Sequence, residues 1–309
     1  MNVRNMLLPA QKQPSGMLRE ERLWGPIFAA PWMIGFLVFK AGPILAALWL
    51  SFNHYDMLTP IRWAGIDNYT RLINDPLFVK SLYNTLYITV FGVPIHVIIA
   101  FVIALLLNAS VRGLRVYRTL FYLPSVTPVV ASSLLWLWFL NPSTGPINNA
   151  LAWLGITGPN WLSSEMWAKP SIILMQSWSV GTGMVIFLAG LQGVPEHLYE
   201  AAEIDGASWL QRVWNVTIPM MTPSVFFVAI TSVIGHMQIF TEAYIMTSGG
   251  PVNSTLFYVY YLFNNGFAYF RMGYASALAW VLFLIILLLT YVQLVLAPRW
   301  VHYESEVAK

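Results

Sequence analysis

The chain has 309 residues, 58% hydrophobic and 9% charged, where a soluble domain carries about 25% charged residues. With a mean hydropathy of +0.63 it needs lipid as solvent, and its formal net charge of +3 comes without any basic block interleaved with aromatics that would suit nucleic acid. There is no cysteine, and the five histidines are scattered, which excludes disulfides, iron–sulfur clusters, zinc fingers and thiol chemistry.

Residues 1–25 read as a polar cytoplasmic segment. The apolar run that follows, 26–52, is longer than a signal-peptide core of about 7–15 residues and reads as a retained membrane helix. A spanning helix takes roughly 20 apolar residues. Five further stretches qualify: 82–107, 119–140, 170–191, 223–247 and 273–296. The expected fold is therefore an all-α, polytopic integral membrane protein with six transmembrane helices. Helix 1 and the first outer loop occupy 26–80, the core occupies 81–298, and 299–309 is a cytoplasmic tail. Pro43, Pro94 and Pro128 are expected to kink their helices. The Trp-rich stretch 151–167 suits a shallow interfacial helix.

Basic residues set the orientation. Arg4, Lys12, Arg19 and Arg22 precede helix 1, Arg112, Arg115 and Arg118 join helices 2 and 3, and Arg299 and Lys309 follow helix 6. With six alternating crossings these share one side, so both termini are expected in the cytoplasm. Arg62, Arg71, Lys80, Lys169 and Arg271 fall on the other side, offset by Asp56, Asp67, Asp75 and Glu165.

Between helices 4 and 5 lies a polar island with four acids, Glu196, Glu200, Glu203 and Asp205, among the small residues Ala201, Ala202, Gly206 and Ala207. Pro195 suits a first helical turn, and Glu196 and Glu200 favour the positive helix end. Gly206 is placed to stop the helix in a left-handed turn. Ser208 with Gln211 reads as a capping box that starts a second short helix. Pro219 and Pro223 are expected to break the chain before helix 5. Acids are repelled by anionic headgroups, so a protein partner with a basic cleft fits this segment better than a lipid surface does.

Glu200-Ala201-Ala202, then Gly206, Val216, Ile218 and Pro219, follow the pattern EAA-x3-G-x9-I-x-L-P. That pattern resembles the signature of permease subunits of binding-protein-dependent ABC importers. RTLFYLPSVTPVV, FLAGLQGVPEHLYEAAEIDGAS, MTSGGPVNST and RMGYASALAWVLFLI resemble the carbohydrate branch, in the subunit type with Gly-Gly-Pro after helix 5. WAGIDNYTRLI resembles the family's first outer loop. The similarity covers 31–294, and its departures, Val216, Ile218 and Met220-Met221, keep the apolar character.

The resemblance implies a second homologous permease subunit, two ATPase subunits and an extracytoplasmic solute-binding protein. It implies that the helix at about 195–206 is a coupling helix inserted into an ATPase groove, with Glu200, Ala201, Ala202, Asp205, Gly206 and Pro219 as its coupling residues. Counting helices puts Gly249, Gly250, Pro251 and Asn253 on the extracytoplasmic side, where this loop is expected to meet the binding protein. For the solute path the resemblance points to Ser125, to Trp178, Ser179 and Thr182, and to the helix 5 stripe Ser232, His236 and Ile239. A second stripe, Thr231, Gly235, Gln238 and Glu242, lies about a third of a turn away. Hydrogen bonding between helices is the plain alternative for each polar residue, and interfacial belts use the same aromatics. Lys40 and Glu242 are the unpaired charges inside spans, and whether they meet is open.

No phosphate-cradling G-x-x-x-x-G-K-[ST] run, H-E-x-x-H or G-x-S-x-G occurs. No catalytic residue, metal ligand or cofactor is expected in this chain, and ATP and Mg belong to the partner. The reading is an inner-membrane permease subunit for a sugar or polyol. A stand-alone secondary transporter or channel is the rival, but it would call for a coupling-ion site and internal repeats. A structural scaffold would not need polar stripes inside helix 5.

Overall fold

The computed structural model describes residues 15–109 and 112–302, with side chains from residue 24 onward. Arg4, Lys12 and Lys309 lie outside the described residues. Helix α1 (Ser15–Phe36) passes through a five-residue π-turn, Leu37–Ala41, into α2 (Gly42–Ser51). A two-residue antiparallel hairpin, β1 (Asn53–His54) and β2 (Arg62–Trp63), and the short α3 (Asp67–Ile73) lead to the long α4 (Pro76–Leu107). Then come α5 (Leu114–Val126), α6 (Val129–Phe139), α7 (Pro146–Trp153), α8 (Glu165–Trp178) and α9 (Gly181–Gln192).

The short α10 (Glu196–Ile204) and α11 (Trp209–Arg212) follow, and a second π-turn, Val213–Thr217, joins α11 to α12 (Ile218–Met237). The chain closes with α13 (Thr241–Met246), α14 (Tyr258–Phe263), a third π-turn at Asn264–Ala268, and α15 (Met272–Leu296). Among the described residues four helices are long and apolar enough to cross a membrane, or six spans if each bent pair counts as one.

The fold is built on α4, which packs against α8, α9, α12 and α14. Its buried stripe, Ser81, Asn84, Thr85, Ile88, Thr89, Gly92, Val93, Ala100, Ala104 and Leu107, follows helical spacing. Small and hydroxyl residues dominate that stripe, because in lipid close backbone approach and hydrogen bonds, rather than apolar burial, hold helices together. The other face, with Val90, Phe91, Ile98, Val102 and Leu106, is exposed and suits lipid. The helix runs through Pro94 without interruption.

Prolines act elsewhere in ways the sequence leaves open. At Pro43 and Pro219 the helix continues, each time after a π-turn: the amide of Gly42 donates to Leu37 O and that of Ile218 to Val213 O. The wider turn moves aside the carbonyl that a proline ring would otherwise strike. The expected break at Pro219 and Pro223 is therefore corrected, and helix 5 is continuous from Trp209 to Met237. At Pro128 the expected kink is large, with α5 and α6 meeting at 99°. Span 4 starts earlier than expected, at Glu165, and bends by 48° between α8 and α9. Helix 5 stops at Met237, so the expected run to residue 247 is also corrected.

Opposite ends of the bundle are separately knitted. At one end the amide of His302 donates to Thr222 Oγ1 at 2.9 Å, Arg118 donates to Leu107 O at 3.2 Å, and the Tyr199 hydroxyl meets Thr217 Oγ1 at 3.1 Å. At the other, Asp75 caps α4 by accepting from the Leu77 amide at 2.9 Å, and its second oxygen accepts from the hydroxyls of Tyr274, at 2.6 Å, and Tyr261. Asn84 there donates to Asn253 O at 2.8 Å and accepts from Lys169 at 3.1 Å.

Candidate functional site

Two places concentrate the polar groups. The first is α10, which lies across the bundle end that holds Asn108 and Thr217. Pro195 is its N-cap residue, with an extended backbone, and Gly206 follows its last turn at φ +77°. The amides of Ala207 and Gly206 donate to Ala202 O (2.9 Å) and Glu203 O (3.0 Å), a complete Schellman closure. Ser208 and Gln211 then form both bonds of the capping box, at 3.4 and 2.7 Å. Local sequence signals thus specify a helix, a sharp turn and a second helix.

No residue of α10 is buried. Glu200, Ala201, Asp205 and Gly206 are exposed, while Ala202 and Pro219 are half-buried. Glu203 pairs with Arg212 at 3.5 Å, whereas Glu196, Glu200 and Asp205 join no ion pair among the described residues. Beside the acids stand Ile204, 86% exposed, and the exposed Trp209 and Leu210. Sequence reasoning missed this apolar rim, although Ile204 between two acids and the adjacent pair Trp209-Leu210 were visible. Trp209 and Leu210 also open the apolar run that continues into helix 5.

The second place is a cavity of about 340 Å³ midway along the bundle. Trp178, Ser179 and Thr182 line it from the α8–α9 bend, Ser232 and His236 from α12, and Glu242 from α13. The two expected stripes of helix 5 merge here, since Thr231 and Gly235 line the same cavity. Two expected residues stand apart. Ser125 Oγ is turned toward α9, where a Cβ on Gly181 would come within 2.6 Å of it, and Gln238 is exposed beyond the end of α12. Ile239 is buried in the core.

His96, Thr127, Ser132 and Gln176 also line the cavity, and sequence reasoning did not find them. His96 was visible as the histidine inside helix 2, and Thr127 as the neighbour of Pro128. Gln176 donates its amide to Glu242 at 3.5 Å, and the His236 Nδ1 donates to Ser232 O at 2.8 Å. The rings of His96 and His236 meet edge to face at 6.1 Å. Lys40 is exposed on the first span, so the partner of Glu242 is Gln176. The bends at Thr127 and Ser179 both border this cavity. Interrupted helices are tolerated at membrane depth where their freed backbone groups face a cavity.

Above it, toward the Asp75 end, Trp136, Leu140, Met175 and Met246 form an apolar cluster. Met175 borders the mid-bundle cavity, while Leu140 and Met246 border a second cleft of about 540 Å³. That cleft is also lined by Gly250 and Pro251. In that loop Gly249, at φ +83°, is buried against Tyr260, Gly250 and Pro251 are half-buried, and Asn253 is exposed. Thr255 Oγ1 donates to Gly250 O at 2.8 Å and lies 2.6 Å from Thr247 Oγ1.

Residues 74–302 match the family model described as "Binding-protein-dependent transport system inner membrane component". The chain belongs to that family. The permease is 40% identical over 297 residues to a probable ABC transporter permease protein, YesP, of Bacillus subtilis (strain 168), covering 94% of this chain and 96% of the relative. It is 37% identical to the lactose transport system permease protein LacF of Rhizobium radiobacter, over 87% of this chain and 92% of that protein. Its fold matches a chain from the crystal structure of a bacterial ABC transporter involved in import of the acidic polysaccharide alginate. The TM-score is 0.78 at 23% identity, over 92% of this chain and 99% of that one. These matches make the permease an integral, multi-pass inner-membrane transport subunit.

Proposed function

We propose that this permease forms half of the translocation pore of an ABC importer for a sugar or polyol. The observation that carries the reading is the pairing of an unburied acidic helix at one bundle end with a polar cavity bordered by interrupted helices. α10 is the coupling helix. Glu200 meets a basic residue of an ATPase subunit, Ala201 and Ala202 admit that partner's backbone, and Asp205 and Gly206 set the turn. Pro219 stands behind it, just after the π-turn inside helix 5. One ATPase subunit docks on each of two homologous permeases, and ATP and Mg are bound there and not here.

The α10 end is cytoplasmic, which agrees with Arg112, Arg115 and Arg118 at that end. The exposed tip at Asn253, together with Pro251, then faces outward to the solute-binding protein, while Gly249 and Gly250 shape the turn. Trp178, Ser179, Thr182, Ser232, His236 and Glu242 line the solute path, and Ser125 and Gln238 do not. The lactose permease among the relatives supports a hydroxyl-rich solute, and hydroxyls, amide and imidazole groups around the cavity suit one.

Affinity purification from native membranes tests the reading. An ATPase subunit in stoichiometric yield is expected. Purification of the permease as a lone chain that still transports solute would favour a secondary transporter.

A further inference from the structure

A polar cleft of about 200 Å³ at the Asp75 end lies where α3, the turn after β1 and the start of α15 meet. Arg71 and Arg271 both line it, and no aliphatic side chain does. Its walls are stitched together. Asn68 on α3 donates to Ser51 O at 2.9 Å and to Asn53 O at 3.0 Å, and the Gly273 amide of α15 donates to Tyr55 O at 3.2 Å. Arg71 lies over the Tyr274 ring, 5.0 Å from its centre, and the Tyr274 hydroxyl is held on Asp75 at 2.6 Å. The acids nearby are already supplied with donors. Asp56 Oδ1, in the lining, accepts from the Thr59 amide at 2.7 Å, the Thr59 hydroxyl at 2.8 Å and the Leu58 amide at 3.1 Å, and Asp67 meets His54 at 3.1 Å. The two arginines are not supplied with acceptors. Among the described residues the arginine side chains that find one are those of Arg118 and Arg212, and neither Arg71 nor Arg271 joins an ion pair. Both are exposed, so water serves them until a partner replaces it.

We propose that Arg71 and Arg271 together receive the carboxylate of an aspartate or glutamate presented by the solute-binding protein. A guanidinium offers a planar fork of donors that matches a carboxylate, and two of them around one cleft outweigh its single lining acid, Asp56. A lipid would need an apolar wall for its chains, which this cleft lacks. The importer reading above turns this end outward, and the assignment rests on it. The first outer loop thereby gains a docking role of its own, apart from the Asn253 loop. It supplies a charged contact that steers approach and fixes orientation, while Asp75, through Tyr274, holds the ring on which Arg71 rests.

The test places the complete transporter in phosphatidylcholine nanodiscs and titrates it with its own solute-binding protein, purified separately. Wild type is expected to bind, with an affinity that falls as salt rises. No binding by wild type would overturn the importer reading itself. Arg71→Gln and Arg271→Gln are each expected to weaken Kd by about ten- to hundred-fold, and the double variant to lose little further, because both side chains grip one carboxylate. Arg62→Gln, on β2 and outside the cleft, is expected to change Kd by no more than about five-fold. A scan of the binding protein's surface acids to their amides is expected to find one position whose loss is not additive with Arg71→Gln. If every acid is additive with both arginine variants, or if those variants dock as wild type does, the cleft holds no binding-protein carboxylate and the proposal fails. It fails equally if the variants lower only the yield of assembled complex. An effect confined to nanodiscs that contain phosphatidylglycerol would assign the cleft to a lipid phosphate and overturn the proposal.

Discussion

Gly206 turns the chain at φ +77° with no atom within 4 Å of where a Cβ would sit. The cost of a side chain there is torsional and not steric, about 1–2 kcal/mol for a residue forced left-handed. Gly206→Asn is therefore expected to keep ATPase association, Gly206→Ala to weaken it and Gly206→Val to weaken it most, measured by co-purification at matched expression. Equal yields from all three would show that the turn angle is irrelevant. This glycine was legible in the sequence because its signal is local. His96 and Gln176 were not, because they become partners of His236 and Glu242 only when α4, α8, α12 and α13 pack together.

Asp75, at the opposite end, shows a second kind of residue effect. Partial burial raises its carboxyl, but the bonds from Tyr261 and Tyr274 and from the amides of Leu77 and Phe78 outweigh this and hold it below the ordinary aspartate value of 3.8. A carboxyl depressed in the folded state stabilises above its unfolded value, and that contribution disappears as pH falls through the folded one. Wild type is accordingly expected to outlast Asp75→Asn in thermal unfolding at neutral pH, with the gap closing in acid below the usual carboxylate range. A gap that persists unchanged into strong acid would remove Asp75 from the account.

At the scale of elements, the helix–turn–helix of α10 and α11 was readable because caps and turn are written within a few residues. The end of helix 5 was not. No proline or glycine marks residues 238–240. The break arises because Ile239 is buried in the main core and Phe240 packs among Tyr244, Tyr260 and Phe263. A helical wheel carried past Met237 therefore misplaced Gln238. It brought Glu242 to the cavity only by coincidence, since Glu242 arrives on α13. The π-turns before Pro43 and Pro219 show the same limit, since sequence marks the proline but not how the preceding turn accommodates it.

The coupling prediction belongs to this scale. Glu200→Lys places a like charge where a basic groove is proposed, and removing one partner of a desolvated pair costs on the order of 3–5 kcal/mol. The variant is expected to insert normally and to lose both ATPase association and uptake. Normal import by a correctly inserted Glu200→Lys protein would show that the acid faces nothing.

For the whole molecule, hydropathy was enough to find the long apolar helices, four unbroken ones and two bent pairs among the described residues, because lipid demands length and apolarity of every crossing. It could not reveal that spans 3 and 4 bend at the cavity. Of the side chains described from residue 24 to residue 50, none is buried, so the first span leans on α15 through α2 and otherwise faces outward. The central claim is that the two ends have different partners, with an ATPase at α10 and a binding protein at the loop carrying Asn253. The native chain has no cysteine, so single substitutions report cleanly. With Ala201→Cys and Asn253→Cys each carrying a short photo-crosslinker in the intact transporter, Ala201→Cys should capture an ATPase subunit and Asn253→Cys the binding protein. Capture of an ATPase subunit from Asn253, or of the binding protein from Ala201, would contradict it.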